Sequence, residues 1–324
     1  MKIQEVFDFV EEDIKKVEVE LSKNLESSVL LIPEVGKYIL LSGGKRFRPL
    51  LLILAARFCG YAGDHHIPLA GVFEFIHTAT LLHDDVVDNA ELRRNSSSVN
   101  SIWGNETSIL IGDYLFSKSF SLLTSIGDLS LLKVMANATT RLAEGEILEL
   151  VKCGDPHITE EDYIAIVKDK TAVLISAVCQ VGAILGNAHY EKERALEEFG
   201  LNLGIAFQMT DDILDYISTG EEFGKAIGKD LYEGKITLPL IHTLRESSPT
   251  DREKIIRIIE SGNQQERDLF TIIELIKEYK GLDHTFKRAR DHVELAKGFI
   301  RDFDASKEKQ ALLATADYVI ERRR

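Results

Sequence analysis

Residues 81–94 read LLHDDVVDNAELRR, so three aspartates and two arginines directly follow an apolar segment. Asp84 and Asp88 have the spacing that places two side chains on one face of a helix, whereas Asp85 lies about 100° further round. Like charges at this spacing destabilise a helix by roughly 0.2–0.5 kcal/mol per pair, and burial raises the cost. A divalent cation between Asp84 and Asp88 would turn this repulsion into attraction. The stretch therefore predicts a helix that binds a metal ion.

The same acidic pattern returns once, in the segment AFQMTDDILDY. Asp211, Asp212 and Asp215 repeat the DDxxD spacing of the first stretch, and in both copies the two residues between the acids are apolar. A solvated acidic face would not need apolar residues at those positions, so two surface charge clusters are the less favoured interpretation. We refer to Asp84, Asp85 and Asp88 as the first acid box and to the later three aspartates as the second acid box.

Helical spacing dominates the rest of the chain. Apolar residues recur every three or four positions along residues 6–25 and again along residues 164–181. Capping-box spacing predicts helix starts at Thr159 and Thr250, and Gly281 is predicted to end a helix. The chain has only 6 prolines and no Pro/Gly/Ser-rich linker. These features predict a single all-α domain of about a dozen helices.

The bulk composition excludes several classes of protein. The net charge is −14, with 53 acidic against 39 basic residues, which argues against nucleic-acid binding. The three cysteines are far apart and form no CxxC pair, so neither a disulfide framework nor a zinc site is indicated, and we expect reduced thiols in a cytoplasmic protein. The longest apolar run, residues 50–56, is far shorter than the ~20 residues that span a bilayer, so no transmembrane segment is expected.

Basic residues accompany the two acid boxes. They cluster in GGKRFRP (43–49), at Arg93 and Arg94, in KDKT (168–171) and in GKAIGKDLYEGKITLP (224–239). Mg²⁺ prefers carboxylate oxygens and bridges one or two protein carboxylates to substrate phosphates. Two helices that each offer an acid box could clamp two or three Mg²⁺ ions around one diphosphate, with the basic residues neutralising the remaining charge. The chain contains neither a Walker loop nor a GxGxxG motif, so a nucleotide is not implied.

Seven segments occur in an order and at intervals that resemble the motif set of the trans-polyprenyl diphosphate synthases. The segments are GGKRFRP, LLHDDVVDNAELRR, ILIGDYLFSKSF, AEGEILEL, KDKTAVL, AFQMTDDILDY and GKDLYEGKITLPL. They span about residues 36–240 and look most like the long-chain bacterial branch of octaprenyl type. The resemblance implies one polyprenyl synthetase domain over residues 1–324, of the all-α isoprenoid synthase type, with a central apolar cavity between helices. It also implies a homodimer.

The activity that the resemblance implies is Mg²⁺-dependent chain elongation. An allylic diphosphate, with farnesyl diphosphate as the expected starter, would condense head to tail with successive molecules of isopentenyl diphosphate. The products would be a long-chain all-trans polyprenyl diphosphate and pyrophosphate. Three alternatives stay open: a short-chain farnesyl or geranylgeranyl synthase, a class I terpene cyclase, and a non-catalytic subunit of a heteromeric prenyltransferase.

Positions that match the family's motifs carry the expected functional residues. The metal ligands would be Asp84, Asp88, Asp211 and Asp215. The cations on the allylic diphosphate would be Arg93, Lys170, Lys225 and Lys235. Thr171 and Gln208 would also line that site and place oxygen atoms near the carbocation. These two residues and the three lysines are the predicted catalytic set. The diphosphate of isopentenyl diphosphate would be bound by Lys45, Arg48, His77 and Arg94.

Product length is predicted from the residues that precede the first acid box. A hydrocarbon fixed at Asp84 must grow towards the N-terminus of the same helix, and each helical turn adds about 5.4 Å of depth. Ala79 and Thr80 are small where short-chain relatives carry bulky aromatics, and Ile76 lies one turn further on. These three residues are predicted to leave a tunnel open. The structural alternative is that Ala79 merely packs against a neighbouring helix.

Some residues near these motifs are expected to be structural. A lone histidine on an apolar helix is more often a core residue than a ligand, which is the alternative for His77. His83 is expected to be structural, and Asp113 is expected to play a structural part through hydrogen bonding. Lys229 stands where several relatives carry an acid, so a metal-binding role is excluded at that position.

Overall fold

Helices account for nearly all the regular structure of this chain. The protein is seen in a computed structural model, which describes residues 1–41, 44, 46–93, 96–217, 228–261 and 266–322. The helices are α1 (Ile3–Asn24), α2 (Leu31–Leu41), α3 (Phe47–Phe58), α4 (His66–Val87), α5 (Val99–Trp103), α6 (Asn105–Ile126), α7 (Leu129–Lys152), α8 (Glu160–Val167), α9 (Val173–Leu185), α10 (Tyr190–Ile217), α11 (Lys229–Tyr232), α12 (Leu238–Glu246), α13 (Pro249–Glu260), α14 (Glu266–Glu278), α15 (Gly281–Ile300) and α16 (Lys307–Glu321). The predicted all-α class is confirmed.

Regular structure other than α-helix is confined to two short features in the described parts of the chain. Strands β1 (Leu92–Arg93) and β2 (Ser96–Ser97) pair antiparallel. A π-helical turn, Lys168–Ala172, joins α8 to α9. None of the described helices combines the length and hydropathy that crossing a membrane requires.

The chain divides into two compact units. The first unit comprises Met1–Ala136, Ala177–Glu197 and Phe303–Thr315, and the second comprises Asn137–Ser176, Glu198–Asp302 and Ala316–Arg324. The first acid box lies in the first unit and the second acid box in the second unit. A single domain over residues 1–324 stays a prediction.

In the first unit, α4 is the central helix and packs against α1, α3 and α6. The predicted apolar stripe of α1 is buried against it, and each fully buried aliphatic side chain stabilises the fold by about 1.5–3 kcal/mol. One acid also lies on the buried face. Asp13 accepts a 2.6 Å hydrogen bond from Arg57 and lies 3.1 Å from His66, so its charge is paired rather than isolated.

In the second unit, α12 packs against α8, α14 and α15, and the buried side chains of these helices form an apolar core. The helix start predicted at Thr159 is confirmed, because its hydroxyl accepts a hydrogen bond from the Asp162 amide at 3.1 Å. The start predicted at Thr250 is wrong: α13 begins at Pro249, and Ser248 is the capping residue. Proline suits the first helical position because its missing N–H would have no partner there.

Gly281 begins α15 instead of ending the preceding helix, so that prediction is wrong too. The left-handed residue between the two helices is Lys280, with φ 58°. A Cβ atom on Gly281 would lie 2.2 Å from the carbonyl oxygen of Pro239. The glycine is therefore needed for the close approach of α12 and not for a turn.

Candidate active site

The first acid box ends α4. Asp88 is the C-cap of the helix, and its backbone N–H donates to the Asp84 carbonyl at 2.8 Å. Asp84 and Asp88 are both partly exposed, whereas Asp85 is only 1% exposed, as their spacing predicted. A helix C-terminus carries partial negative charge and favours cations. Two accessible carboxylates at this position fit a hard divalent cation.

The middle acid of this box is bound by an arginine. Asp85 accepts hydrogen bonds from Arg93 Nε, at 2.7 Å to Oδ1 and 2.8 Å to Oδ2, and Arg93 Nη2 lies 2.6 Å from Oδ1. Arg93 lies in strand β1 of the short hairpin, where it pairs with Ser96 of β2. The arginine predicted to neutralise the allylic diphosphate is thus held in a fixed orientation by Asp85, which is itself turned away from solvent.

One face of α4 remains accessible upstream of the first acid box. His77, Thr80 and Asp84 follow one another at helical spacing and are each partly exposed. Ile76 and Ala79 are fully buried. The Thr80 hydroxyl donates to the His77 carbonyl at 2.8 Å. Of the predicted chain-length residues, Thr80 therefore shares the accessible face of Asp84, and Ile76 and Ala79 do not.

The basic segment before α3 is partly structural. Arg46 has φ 47° and ties two elements together, donating to Glu74 at 2.9 Å and to the Leu40 carbonyl at 2.8 Å. Arg48 lies in the first turn of α3 and is half-buried. Three predicted site residues lie outside the described residues: Lys45, Arg94 and Lys225.

His83 and Asp113 support the fold, as predicted. His83 Nε2 lies 3.4 Å from Asp113 Oδ1 and 3.3 Å from the Ile109 carbonyl, so the pair links α4 to α6.

The π-helical turn in the second unit is closely packed on two sides. A Cβ atom on Gly145 of α7 would lie 2.4 Å from the Lys170 amide nitrogen, and one on Gly204 of α10 would lie 2.5 Å from the Ala172 Cα atom. Only glycine permits such an approach of two backbones. Gly145 belongs to the AEGEILEL segment, so the close approach to the π-turn explains why this motif contains a glycine. π-turns inside helices are frequent at functional sites.

Lys170, in the π-turn, is oriented by α7. Its ammonium group pairs with Glu146 at 3.0 Å and with Glu149. The preceding Asp169 accepts a hydrogen bond from Arg141 Nε at 2.7 Å. Both glutamates belong to the AEGEILEL segment, for which the sequence predicts no role. Their spacing of three residues places both on one helix face, which is the signal that they share a partner.

Thr171 and Gln208, both assigned to the allylic site by the resemblance, lie in contact. The Thr171 hydroxyl donates to Gln208 Oε1 at 2.8 Å, and Gln208 Nε2 donates to Asp212 Oδ1 at 2.8 Å. Tyr163, which sequence reasoning missed, donates from its hydroxyl to Asp212 Oδ2 at 2.5 Å. These four side chains line a cavity of about 120 Å³ together with Lys170 and Lys235.

Burial has the largest effect on the pKa values of Asp212 and Tyr163. Asp212 is 2% exposed, and burial raises its pKa to about 7, although the hydrogen bonds from Tyr163 and Gln208 act in the opposite direction. Burial also raises the pKa of the Tyr163 hydroxyl well above its usual range, so this group remains a donor at neutral pH.

Asp211, the first acid of the second box, is paired with Arg322, which directly follows α16. Arg322 Nη2 lies 2.8 Å from Asp211 Oδ1, and the guanidinium of Arg322 lies 4.3 Å from the ring centroid of Phe207. A cation thus sits beside Asp211 at the position where the sequence predicts a metal ion.

Asp215, the last acid of this box, contacts the backbone of α11. Its carboxylate accepts a hydrogen bond from the Asp230 amide at 3.1 Å. Asp230 is partly exposed, and its partial burial, followed by the charges of Asp215 and Asp212, raises its pKa well above the usual range. Lys235 pairs with Glu233 at 2.8 Å. A nearby divalent cation would stabilise the ionised forms of Asp212 and Asp230, whose pKa values are both raised.

The carboxylates fit Mg²⁺ only if it binds together with a phosphate group. Within the described ranges, no three histidine, cysteine, aspartate or glutamate side chains form a complete metal centre. Mg²⁺ typically takes one or two protein carboxylates and completes its shell with water and substrate phosphates. Asp84 and Asp88 in the first acid box are two such carboxylates, and Asp211 and Asp215 are two in the second acid box.

Comparison with known proteins identifies the family. The family model described as polyprenyl synthetase matches residues 30–276. The octaprenyl diphosphate synthase of Escherichia coli (strain K12) is 39% identical over 324 residues and is matched over 100% of both chains. A polyprenyl synthase from Caulobacter crescentus CB15, crystallised with calcium and isoprenyl diphosphate, superimposes with a TM-score of 0.96 at 38% identity, covering 100% of this chain and 98% of that one. A decaprenyl diphosphate synthase from Rhodobacter capsulatus superimposes with a TM-score of 0.94 at 38% sequence identity, and the match covers 99% of each chain.

The likeness extends along the whole chain, and the family-model match over residues 30–276 spans both acid boxes. The protein therefore belongs to the polyprenyl synthetase family, the all-α prenyltransferases that extend allylic diphosphates with isopentenyl diphosphate.

Proposed function

We propose that this protein makes a long-chain all-trans polyprenyl diphosphate, of about octaprenyl length, from an allylic diphosphate such as farnesyl diphosphate and successive molecules of isopentenyl diphosphate. Pyrophosphate is released at each step. The observation that carries the proposal is that the chain keeps two intact acid boxes with their basic segments in a sequence similar over its full length to an octaprenyl diphosphate synthase.

The allylic diphosphate is the leaving group of the reaction. The proposed Mg²⁺ ligands are Asp84, Asp88, Asp211 and Asp215, which bind two or three ions. When bound, these ions supply positive charge to the diphosphate as its C–O bond breaks. The calcium in the Caulobacter crescentus structure supports a divalent metal in the family. Arg93 and Lys170 supply fixed cations, and each is held in place by carboxylates, Asp85 for the arginine and Glu146 and Glu149 for the lysine. Lys225 and Lys235 complete this set.

The second substrate needs its own anion site. Lys45, Arg48, His77 and Arg94 are proposed to bind the diphosphate of isopentenyl diphosphate. Arg48 and His77 are both partly exposed in the first unit, so both are accessible to a ligand.

The carbocation forms beside oxygen atoms in a site that excludes water. Thr171 and Gln208 supply these oxygens, and apolar side chains in the same cavity, including Ile166 and Ile236, keep water from quenching the cation. The double bond of isopentenyl diphosphate attacks the cation, forming the new C–C bond. The departed pyrophosphate then accepts the proton that restores a double bond.

The alternatives explain less of the sequence. A class I cyclase has no use for a second diphosphate-binding segment before α3, and its second metal site normally has a pattern different from DDILD. A non-catalytic subunit usually loses acid-box residues, whereas this chain retains both boxes.

We expect the purified protein alone to convert farnesyl diphosphate and radiolabelled isopentenyl diphosphate to long linear products in the presence of Mg²⁺, because it carries every proposed site. Chromatography would size the products, and a reaction with a chelator is the control. Products no longer than geranylgeranyl diphosphate would support a short-chain synthase, and cyclic hydrocarbons would support a cyclase. Complete inactivity of the folded protein would support the subunit.

We also propose a homodimer in the cytoplasm. The helices α5 and α6 expose apolar side chains, with Ile102 46%, Ile109 41% and Leu110 66% exposed, and a second copy of the chain could cover them. None of the three cysteines, all in the described part of the chain, forms a disulfide, which fits a reducing compartment.

The dimer predicts a sedimentation mass of twice 36.4 kDa. Leu110→Asp should lower that mass towards the monomer, because it places a charge in an apolar interface. Leu295→Asp is the matched control, since Leu295 is a leucine of similar exposure, 54%, on α15. A monomeric wild-type protein, or equal behaviour of the two variants, would contradict this interface.

A further inference from the structure

Four side chains in the second unit form a chain of hydrogen bonds that we name the relay: Tyr163, Asp212, Gln208 and Thr171. Tyr163 comes from α8, Asp212 and Gln208 come from α10, and Thr171 lies in the π-turn. The three links measure 2.5, 2.8 and 2.8 Å in that order. Tyr163 and Asp212 are 4% and 2% exposed, so the far end of the relay is buried.

The direction of every hydrogen bond in the relay is set from its buried end. The Tyr163 hydroxyl donates to one oxygen of Asp212, and the other oxygen accepts from an N–H of Gln208. In the ionised form of Asp212 both oxygens accept, so the amide nitrogen of Gln208 faces Asp212 and its oxygen faces Thr171. Thr171 must then donate its single hydroxyl hydrogen to that oxygen. Both lone pairs of the Thr171 oxygen remain available to the cavity that this residue lines.

The reverse arrangement would be chemically unfavourable for a cation. If the Gln208 amide were turned over, its N–H would donate to the Thr171 oxygen and consume a lone pair. The hydroxyl hydrogen of Thr171 would then be directed away from Gln208. Partial positive charge would replace partial negative charge at the wall of the cavity, and it would repel a developing carbocation.

We propose that Tyr163 and Asp212 are positioning residues that fix the amide of Gln208, so that Thr171 presents its oxygen lone pairs to the allylic cation. The inference rests on the proposed function, since that function places Thr171 and Gln208 beside the carbocation. It gives the middle acid of the second box a role other than metal binding. Neither Tyr163 nor Asp212 is proposed to touch the substrate.

The first test removes one hydroxyl group. Tyr163→Phe deletes the donor to Asp212 and keeps the buried ring. We expect kcat to fall about tenfold or more while the KM values of both substrates change by less than about twofold, because the relay acts on the cation and on neither diphosphate. The matched control is Tyr216→Phe. Tyr216 is another buried tyrosine of the second unit, 3% exposed, and its hydroxyl lies 3.5 Å from Thr237, outside the relay.

A binding measurement separates the relay from a general loss of structure. Calorimetry in the presence of Mg²⁺ would compare a non-ionising allylic thiolodiphosphate with an ammonium analogue, whose nitrogen carries the charge of the carbocation. Tyr163→Phe should weaken the ammonium analogue by about tenfold and leave the thiolodiphosphate unchanged, because only the former resembles the transition state. Equal losses for both analogues, or equal kcat values for Tyr163→Phe and the control, would overturn the proposal.

The second variant inverts the relay. In Asp212→Asn, the side-chain amide can accept from Tyr163 and donate to Gln208, which would turn the Gln208 amide over. We expect a larger fall in kcat than for Tyr163→Phe, and an unchanged kcat would overturn the relay. The calorimetric comparison needs no turnover. A wild-type protein that binds both analogues but makes no product would contradict the proposed function, and the relay would still be judged by the binding of the ammonium analogue.

Discussion

Asp84→Ala and Asp88→Ala are each expected to lower kcat by about a thousandfold or more, because the leaving diphosphate loses metal ions that neutralise its charge. The helix content should not change. Both residues are partly exposed at the C-terminus of α4, where removal of one of two like charges relieves repulsion. Steady-state kinetics at a fixed Mg²⁺ concentration and circular dichroism of the same preparations would measure the two effects.

The matched control for these variants is Asp64→Ala, since Asp64 is an exposed aspartate of the first unit just before α4. It should retain wild-type activity. Asp211→Ala should behave like Asp84→Ala, and Asp215→Ala should be milder. Asp211 gives a less specific test, because its removal also deprives Arg322 of an ion-pair partner. Normal turnover of Asp84→Ala at ordinary Mg²⁺ would rule out the proposed metal site.

Ala79→Tyr is expected to change the product from a long chain to one of farnesyl or geranylgeranyl size, with a similar initial rate. The physical reason is that an elongating hydrocarbon anchored at Asp84 must pass the helical turn that precedes it, and a tyrosine there would block the path. Chromatography of the radiolabelled products would show the shift. Unchanged long products from a folded Ala79→Tyr protein would place the growing chain elsewhere.

The structure adds a second variant to that test. Ala79 is fully buried, so a tyrosine at this position must displace its neighbours, whereas Thr80 is partly exposed on the same face as Asp84. Thr80→Tyr should therefore shorten the product with less effect on stability. Thermal unfolding of both variants would show the difference. Shortening by Thr80→Tyr alone would mean that Ala79 only packs against its neighbours.

The sequence predicted those parts of the fold and site that depend on local periodicity. Spacing of three and four residues identified the buried face of α1, and the same geometry placed Asp84 and Asp88 on one face of α4 with Asp85 turned away. These predictions succeeded because a regular helix relates neighbouring residues by fixed angles.

Contacts between elements were not predictable in this way. The order of residues does not show that Arg93 donates a hydrogen bond to Asp85, because this contact depends on the register of the hairpin. Tyr163 and Asp212 are 49 positions apart, and their contact depends on how α8 packs against α10. The prediction of where α13 starts was wrong for a local reason, because two possible capping residues, Ser248 and Thr250, flank Pro249. Proline prefers the first helical position, and this preference selects Ser248 as the cap.

The π-turn at Lys168–Ala172 constrains the length of the chain there more than its composition. A π-turn holds about one residue more than an α-turn, so the helix before it and the helix after it are out of phase by about 100°. Deleting a single residue from this turn would restore a continuous α-helix and rotate α8 relative to Thr171. Tyr163 would then face away from Asp212, although every side chain of the relay would still be present. Gly145 and Gly204 pack on the turn from two sides and leave no space for a compensating bulge. The number of residues between Tyr163 and Thr171 thus determines whether Tyr163 faces Asp212. An insertion or deletion in this segment should therefore lower activity more than most substitutions within it.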